Sequence, residues 1–423
     1  MTSRERRGWI IVGGFFIAQF FIVGTGYDTA GVFFTPLLKY FGWSRTQLSM
    51  LTSAISLAAA VMGVGVGWLL DRTEARWVVT VGAALSGVAF LMASAAHSLA
   101  WMVSAYALLG VGAAVCAMTP CYYVLGNWFE QRRALAMTVA VTGIEVGGMV
   151  MTLVCTYLIA HIGWRTTYVL MALPVFVLVV PAMFVLVRSR PEGVSGIAAG
   201  AHGAHGVHAA QGAPEDTQSG LDVGEALRER SFWIIALSYL TYAFGATALV
   251  VHTVPYLIGL GMTAERAALV LSIALGLNIV GKPGFGAAAD RFGIRFIYGL
   301  NLFTVGCGIV LLLYARHPAM LVLFTLVYGL SVGAPIGLMP AILADAVGLR
   351  RFGSLSGLLV TLGVIGSAAG PIAAGAVFDR TASYAGIFEL FAVALLIASF
   401  LPMGCVSYRE RAVGASPAPQ PVS

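Results

Sequence analysis

Long apolar stretches recur along the whole chain, each about 20 residues or more and separated by short segments that carry the arginines. Such runs exceed the length of a soluble core helix. At 1.5 Å rise per residue, about 20 residues cross the ~30 Å hydrocarbon layer of a bilayer. Twelve spanning helices are predicted, near 10–38, 48–70, 77–97, 99–127, 134–160, 165–187, 232–260, 266–289, 296–315, 318–345, 353–378 and 384–407. The first run is too long for the 7–15-residue core of a secretion signal and has no small-x-small cleavage site, so it is read as a retained helix.

Composition agrees with that pattern: 59% of residues are hydrophobic and 10% charged, with mean hydropathy +0.90, far from soluble proteins, where about 25% are charged. Seventeen Lys and Arg fall in segments on the side of the N-terminus and six on the other side, which predicts that both termini are cytoplasmic. The net charge of +6 is thereby a topological signal, and no nucleic-acid partner is implied. Cys116, Cys121, Cys155, Cys307 and Cys405 have neither metal-ligand spacing nor a CxxC and are expected to pack as small apolar groups. No cofactor or metal site is expected.

The only long polar stretch between spans is 189–230, whose core is Gly/Ala/His-rich. It is read as a flexible cytoplasmic linker between a six-helix half at 1–188 and another at 231–408, with a cytoplasmic tail at 409–423. His202, His205 and His208 inside it are not taken as a metal site, because three-residue spacing in a Gly/Ala context without further ligands does not build one.

The halves repeat one another. Gly67-Trp-Leu-Leu-Asp71-Arg72, with Arg76, follows span 2, and Gly286-Ala-Ala-Ala-Asp290-Arg291-Phe-Gly293-Ile-Arg295 follows span 8, at a constant offset of 219 residues. Repeats of this kind place a transporter's substrate site between the halves near the midplane. The pattern resembles the signature of the major facilitator superfamily, and the resemblance implies an all-α membrane protein with twelve transmembrane helices in two six-helix halves. It also implies that these residues form a cytoplasmic gate. The first copy departs from the signature at Glu74, where the family has Gly.

A narrower resemblance rests on Trp128-Phe-Glu-Gln-Arg132-Arg133, Gly163-Trp164-Arg165-Thr-Thr-Tyr168, Arg188-Ser-Arg190-Pro191, His252-Thr-Val-Pro255-Tyr256 and Gly31-Val-Phe-Phe34-Thr-Pro36. In order and spacing these are similar to the monocarboxylate transporters and their bacterial oxalate/formate-antiporter-like relatives. The resemblance implies movement of small organic anions across a bacterial inner membrane by a transporter that works as a monomer. Such relatives carry an Asp and an Arg four residues apart in helix 8. Here those slots hold Asn278 and Lys282.

Lys282 is one of two lysines in the chain and stands inside an apolar span. A cation near the bilayer midplane costs at least about 2.5–3.5 kcal/mol on insertion scales, so it is expected to face a cavity, a partner or a substrate. Asn278 and Lys282 share a helix face. Asp28 in span 1 and Glu145 in span 5 are the acids available to pair with Lys282. Three such charges cannot all persist in low dielectric, so one carboxyl is expected to take up a proton. The expected function is proton-coupled movement of a small carboxylate, a monocarboxylate because only one lysine is available: Lys282 binds it, Asn278 orients it, and Asp28 or Glu145 releases Lys282.

The alternative for these three charges is an ion pair that only holds the halves in register. Tyr27, Tyr123 and Tyr328 are candidates for lining the cavity, and His252 in span 7 is either a proton relay or a satisfied buried histidine. Gly63/Gly67, Gly143/Gly147 and Gly329/Gly333/Gly337 are expected to allow close helix contact. An ATP-driven pump is disfavoured for want of a phosphate-binding loop, and an enzyme for want of a nucleophile, base or metal cluster. An exporter of cations or drugs, suggested by the two acids, and a transport-inactive sensor remain the competing readings.

Overall fold

The computed structural model describes residues 3–116, 118–129, 133–189, 220–348 and 350–408. Among them lie eleven stretches of helix long and apolar enough to cross a membrane. The longest, Ala136–Leu186, is two spans: Gly163 interrupts it with φ +80° and ψ 162°, outside helical geometry. Twelve crossings result, as the apolar runs predict. Helix is the form that satisfies every backbone amide within the segment itself, which hydrocarbon demands. Ends are capped locally. Ser44 and Gln47 exchange side-chain and backbone bonds at the start of span 2 (Arg45–Arg72), and Thr263 caps span 8 (Ala264–Phe292).

Each half has its own apolar core. Ile11, Phe15, Ile55, Phe90 and Tyr168 belong to the first, and Phe232, Tyr298, Phe324, Tyr328 and Phe388 to the second. The halves meet along three helix pairs: span 2 with span 11 (Phe352–Thr381), span 5 with span 8, and span 1 with span 7 (Arg230–Gly259). Close approach of helices within each half depends on glycine. Side chains at Gly143 and Gly147 would strike the backbone of Phe16 and Phe20 in span 1, and one at Gly329 would strike Ala274 of span 8. Gly63 and Gly337, which the same spacing marks for contact, face open space.

Spans 1 and 10 are broken near the middle. Span 1 passes through a π-turn at Gln19–Gly24 and leaves helical hydrogen bonding after Asp28. Span 10 is interrupted between Ser331 and Ala334. Such breaks are tolerated at membrane depth only where protein or a cavity re-satisfies the freed groups, and both adjoin the charged residues singled out above.

The linker core with its histidines, and the tail from residue 409, lie outside the described residues. The last part of the linker is ordered against the second half: Gly220 bridges to Gly348, and Asp222 binds Arg350 and Arg351.

Candidate functional site

Lys282 donates to Glu145 Oε1, joining span 8 of one half to span 5 of the other. The lysine side chain is 33% exposed and the glutamate 8%, so the bond is approachable from the lysine side. Of the two acids the sequence offers, Glu145 is the one in contact. Asp28 sits where span 1 breaks, and its carboxylate lies against Gly148, one turn beyond Glu145, where a side chain would fall on it. Lys282 is near enough to attract Asp28 electrostatically. Asp28 nevertheless makes no hydrogen bond or ion pair among the described residues.

Asn278 is buried, and its Oδ1 accepts the Gly333 N–H at 2.8 Å. Tyr242 donates to Val332 O at 2.5 Å and Asn301 to Ser331 O at 3.1 Å, so side chains take up the backbone groups freed at the span 10 break. A side chain at Gly333 would collide with Lys282 Cε and come within 2.7 Å of Asn278 Oδ1. Gly148 and Gly333 thus leave the space that Asp28 and Lys282 occupy. Neither glycine is distinguished by the sequence except through general small-residue spacing.

The tyrosines divide. Tyr27 is half-buried, with its hydroxyl beside Ser56 of span 2. Tyr123 is half-buried against the core of the first half. Tyr328 is fully buried, stacked on Phe324, and reaches Ala246 O at 3.4 Å.

His252 is not part of this cluster. It is fully buried nearer the opposite face, with Nε2 3.0 Å from Pro371 O and 3.1 Å from Ser49 Oγ, and Nδ1 2.9 Å from the Tyr384 hydroxyl. A carbonyl can only accept, so Nε2 carries the proton and neutral Nδ1 accepts from Tyr384. Tyr384 in turn receives Arg45 Nη1 at 2.5 Å. The Arg45 guanidinium lies 3.8 Å above the Phe378 ring. Asp379 at the end of span 11 accepts the Arg45 and Thr46 N–H groups, each at 2.9 Å, and the Thr46 hydroxyl at 2.5 Å, capping span 2 from the other half. Ser53 donates to Ala368 O at 2.5 Å. Together these bonds seal spans 2, 7 and 11 at the face opposite residues 72–76 and 290–295.

Towards residues 290–295 the packing loosens. Pro283 and Gly284 are exposed, and Gly284, Gly286 and, across the interface, Gly63 and Gly65 have no atom near the place where a side chain would begin. Packing is therefore looser on that side of the central pair.

The repeated motif occupies the turns there. Gly293 adopts φ +91°, a conformation that favours glycine, and Arg295 binds Asp345 at 3.1 Å and Cys405 O at 2.9 Å. Asp290 is exposed, and Arg291 lies over the Phe292 ring. In the first copy Glu74 takes an ordinary extended conformation, φ −61° and ψ 127°, so the turn forms without glycine; Arg76 lies 3.8 Å from it. Arg72 is exposed, whereas the side-chain surroundings of Gly67 and Asp71 lie outside what is described.

Two six-helix halves, broken helices at the middle and an ion pair bridging the halves define an integral, multi-pass membrane transporter. The chain belongs to the Major Facilitator Superfamily, a family of non-enzymatic membrane transporters, whose model matches residues 16–297 and 259–421. Monocarboxylate transporter 12 of Mus musculus is 27% identical over 420 residues, covering 93% of this chain and 84% of that protein. Monocarboxylate transporter 3 of Rattus norvegicus is 29% identical over 390 residues, covering 90% and 76%. The fold is similar to that of a bacterial homologue of the human lysosomal transporter Spinster in an inward-facing, occupied conformation, with TM-score 0.75, 16% identity and coverage of 95% and 97%.

Proposed function

We propose that this protein moves a small monocarboxylate across the inner membrane of a bacterial cell, coupled to protons, by alternating access. The observation that carries the reading is the Lys282–Glu145 bond between the halves. A substrate carboxylate offers Lys282 what Glu145 now supplies, so its arrival displaces Glu145. The released glutamate, in low dielectric without its partner, takes up a proton. Neutral Glu145 no longer holds span 5 to span 8, and the halves are free to rock. An ammonium acts as a point charge without the bidentate fork of arginine, which suits one-for-one exchange of carboxylates. Asn278 supports this by fixing the span 10 break beside the lysine. Its amide nitrogen is the group that would meet substrate.

The arginine distribution supports cytoplasmic termini, and on that reading the present conformation is the inward-opening one and the His252 network faces outward. The family relationship to monocarboxylate transporters supports the same substrate class.

Reconstituted protein should take up lactate- or pyruvate-like acids faster under an inward-directed proton gradient, and Lys282→Ala should abolish this while the protein reaches the membrane normally. Uptake retained in Lys282→Ala sinks the reading. Asp28, which makes no hydrogen bond or ion pair among the described residues, favours one rival, an exporter of organic cations. Proton-driven efflux of a lipophilic cation, with no response to monocarboxylates, would establish that rival.

A further inference from the structure

The outer wall of the second half carries a groove that transport does not use. It lies between the start of span 7 and the end of span 12 (Ala385–Gly404), has a volume of about 490 Å³, and is lined by Arg230, Ile234, Val393, Ile397, Phe400 and Leu401 among others. Span 12 leaves α-helical geometry after Ala398 and finishes in a tight turn at Leu401–Gly404, whose Gly404 lies against Ile234 of span 7 and closes one end of the groove. The rim is fixed. Val406 N bonds Ser231 Oγ at 3.0 Å, and Arg295 holds Cys405 O, so the chain after the turn is tied across the first residues of span 7.

Arg230, next to Ser231, is exposed at the mouth of the groove and has no ion pair among the described residues. Trp233, one turn on and 52% exposed, marks the depth where indole rings meet headgroups. From Val393 to Gly404 the groove follows span 12 for about 16 Å at helical rise, close to half of the ~30 Å hydrocarbon layer. The corresponding pair in the first half, spans 1 and 6, is packed shut: Gly14 lies against Met183 and Leu186.

We propose that this groove binds an anionic phospholipid of the leaflet on the Arg230 side, with the phosphate on Arg230 and one acyl chain laid along Ile234, Val393 and Ile397. A lone guanidinium at headgroup depth lacks a counter-anion, and an apolar slot one leaflet deep fits a single chain. Both needs are met by one lipid whose headgroup keeps its negative charge.

The test is native mass spectrometry of the full chain released from nanodiscs containing equal amounts of phosphatidylglycerol and phosphatidylcholine. Wild type should retain phosphatidylglycerol preferentially. Arg230→Gln should reduce that preference roughly fivefold, the effect expected of one basic side chain at an anionic surface. Ile397→Trp, which fills the slot and leaves Arg230 in place, should reduce retention of the lipid as well. Arg228→Gln, an exposed arginine outside the groove lining, should change neither. Equal retention of the two lipids by wild type overturns the proposal. So does an equal loss in Arg228→Gln, which would mark general attraction of annular lipid. Unaltered retention in both Arg230→Gln and Ile397→Trp overturns it too.

Discussion

The two places where the halves are bonded are built on different principles. At the centre, one ammonium meets one carboxylate, the lysine is partly exposed, and a second acid without a hydrogen bond or ion pair among the described residues stands beside them. At the opposite face the halves are joined by a chain of bonds through Arg45, Tyr384, His252, Ser49 and Asp379, of which Ser49, His252 and Tyr384 are buried and Asp379 is exposed. A contact made by one exchangeable partner can be taken over by a ligand of the same charge. A contact shared among several fixed groups cannot, and it opens only when the halves move as bodies. The centre is thus suited to sensing, and the network at the opposite face to holding.

The sharpest way to break this contrast is at the pair. Lys282→Ala leaves Glu145 buried without a partner, and loss of one member of a buried ion pair costs about 3–5 kcal/mol. Proteoliposome uptake should fall at least about 100-fold, since about 1.4 kcal/mol corresponds to tenfold. Glu145→Gln should behave differently: substrate exchange between loaded vesicles persists, while acceleration by a proton gradient disappears. Equal loss of both activities would deny Glu145 its proton.

The next effect is expected from the glycine seats. Gly148→Ala puts a methyl group on the Asp28 carboxylate, and Gly333→Ala puts one on Lys282. Overpacking of this kind costs roughly 1–3 kcal/mol, so substrate affinity should weaken by about tenfold in each. Wild-type affinity in both would mean that the seats are empty of consequence.

The His252 network should respond by shifting conformation instead of losing substrate. Asp379→Asn weakens charge-assisted bonds worth about 1.5–3 kcal/mol. A cysteine placed at Ser53 in that variant should react faster with an outward-added thiol reagent, while the affinity of the central site is kept. His252→Gln is expected to give the smaller change in the same labelling, because one amide replaces only part of a three-partner imidazole. Unchanged labelling in Asp379→Asn would remove the seal from the cycle.

Much of this architecture was legible in the chain. Twelve apolar runs and the repeated motif gave the fold because hydrocarbon leaves helices no competitor, and Lys282, Glu145 and Asp28 stood out because charge is rare in such runs. Which acid meets the lysine depends on spans 5 and 8 lying side by side, a tertiary fact that the residues between them do not encode. The seal was hidden for another reason. Arg45, Asp379 and Tyr384 sit at span ends, where charges and tyrosines are ordinary, and nothing in one dimension brings 45 to 379. His252 drew attention as an intramembrane histidine, yet its place in the network came from partners more than 100 residues away.

The start of span 2 holds one more lesson. Its first amides are shared between two caps: Ser44 and Gln47 bond each other's N–H groups within the first half, and Asp379 of the other half takes those of Arg45 and Thr46. When the halves part, the borrowed cap is lost and the native one stays. The Arg45 and Thr46 amides then turn to water while the Ser44–Gln47 box keeps the helix start in place, so the joint can be remade on the same geometry.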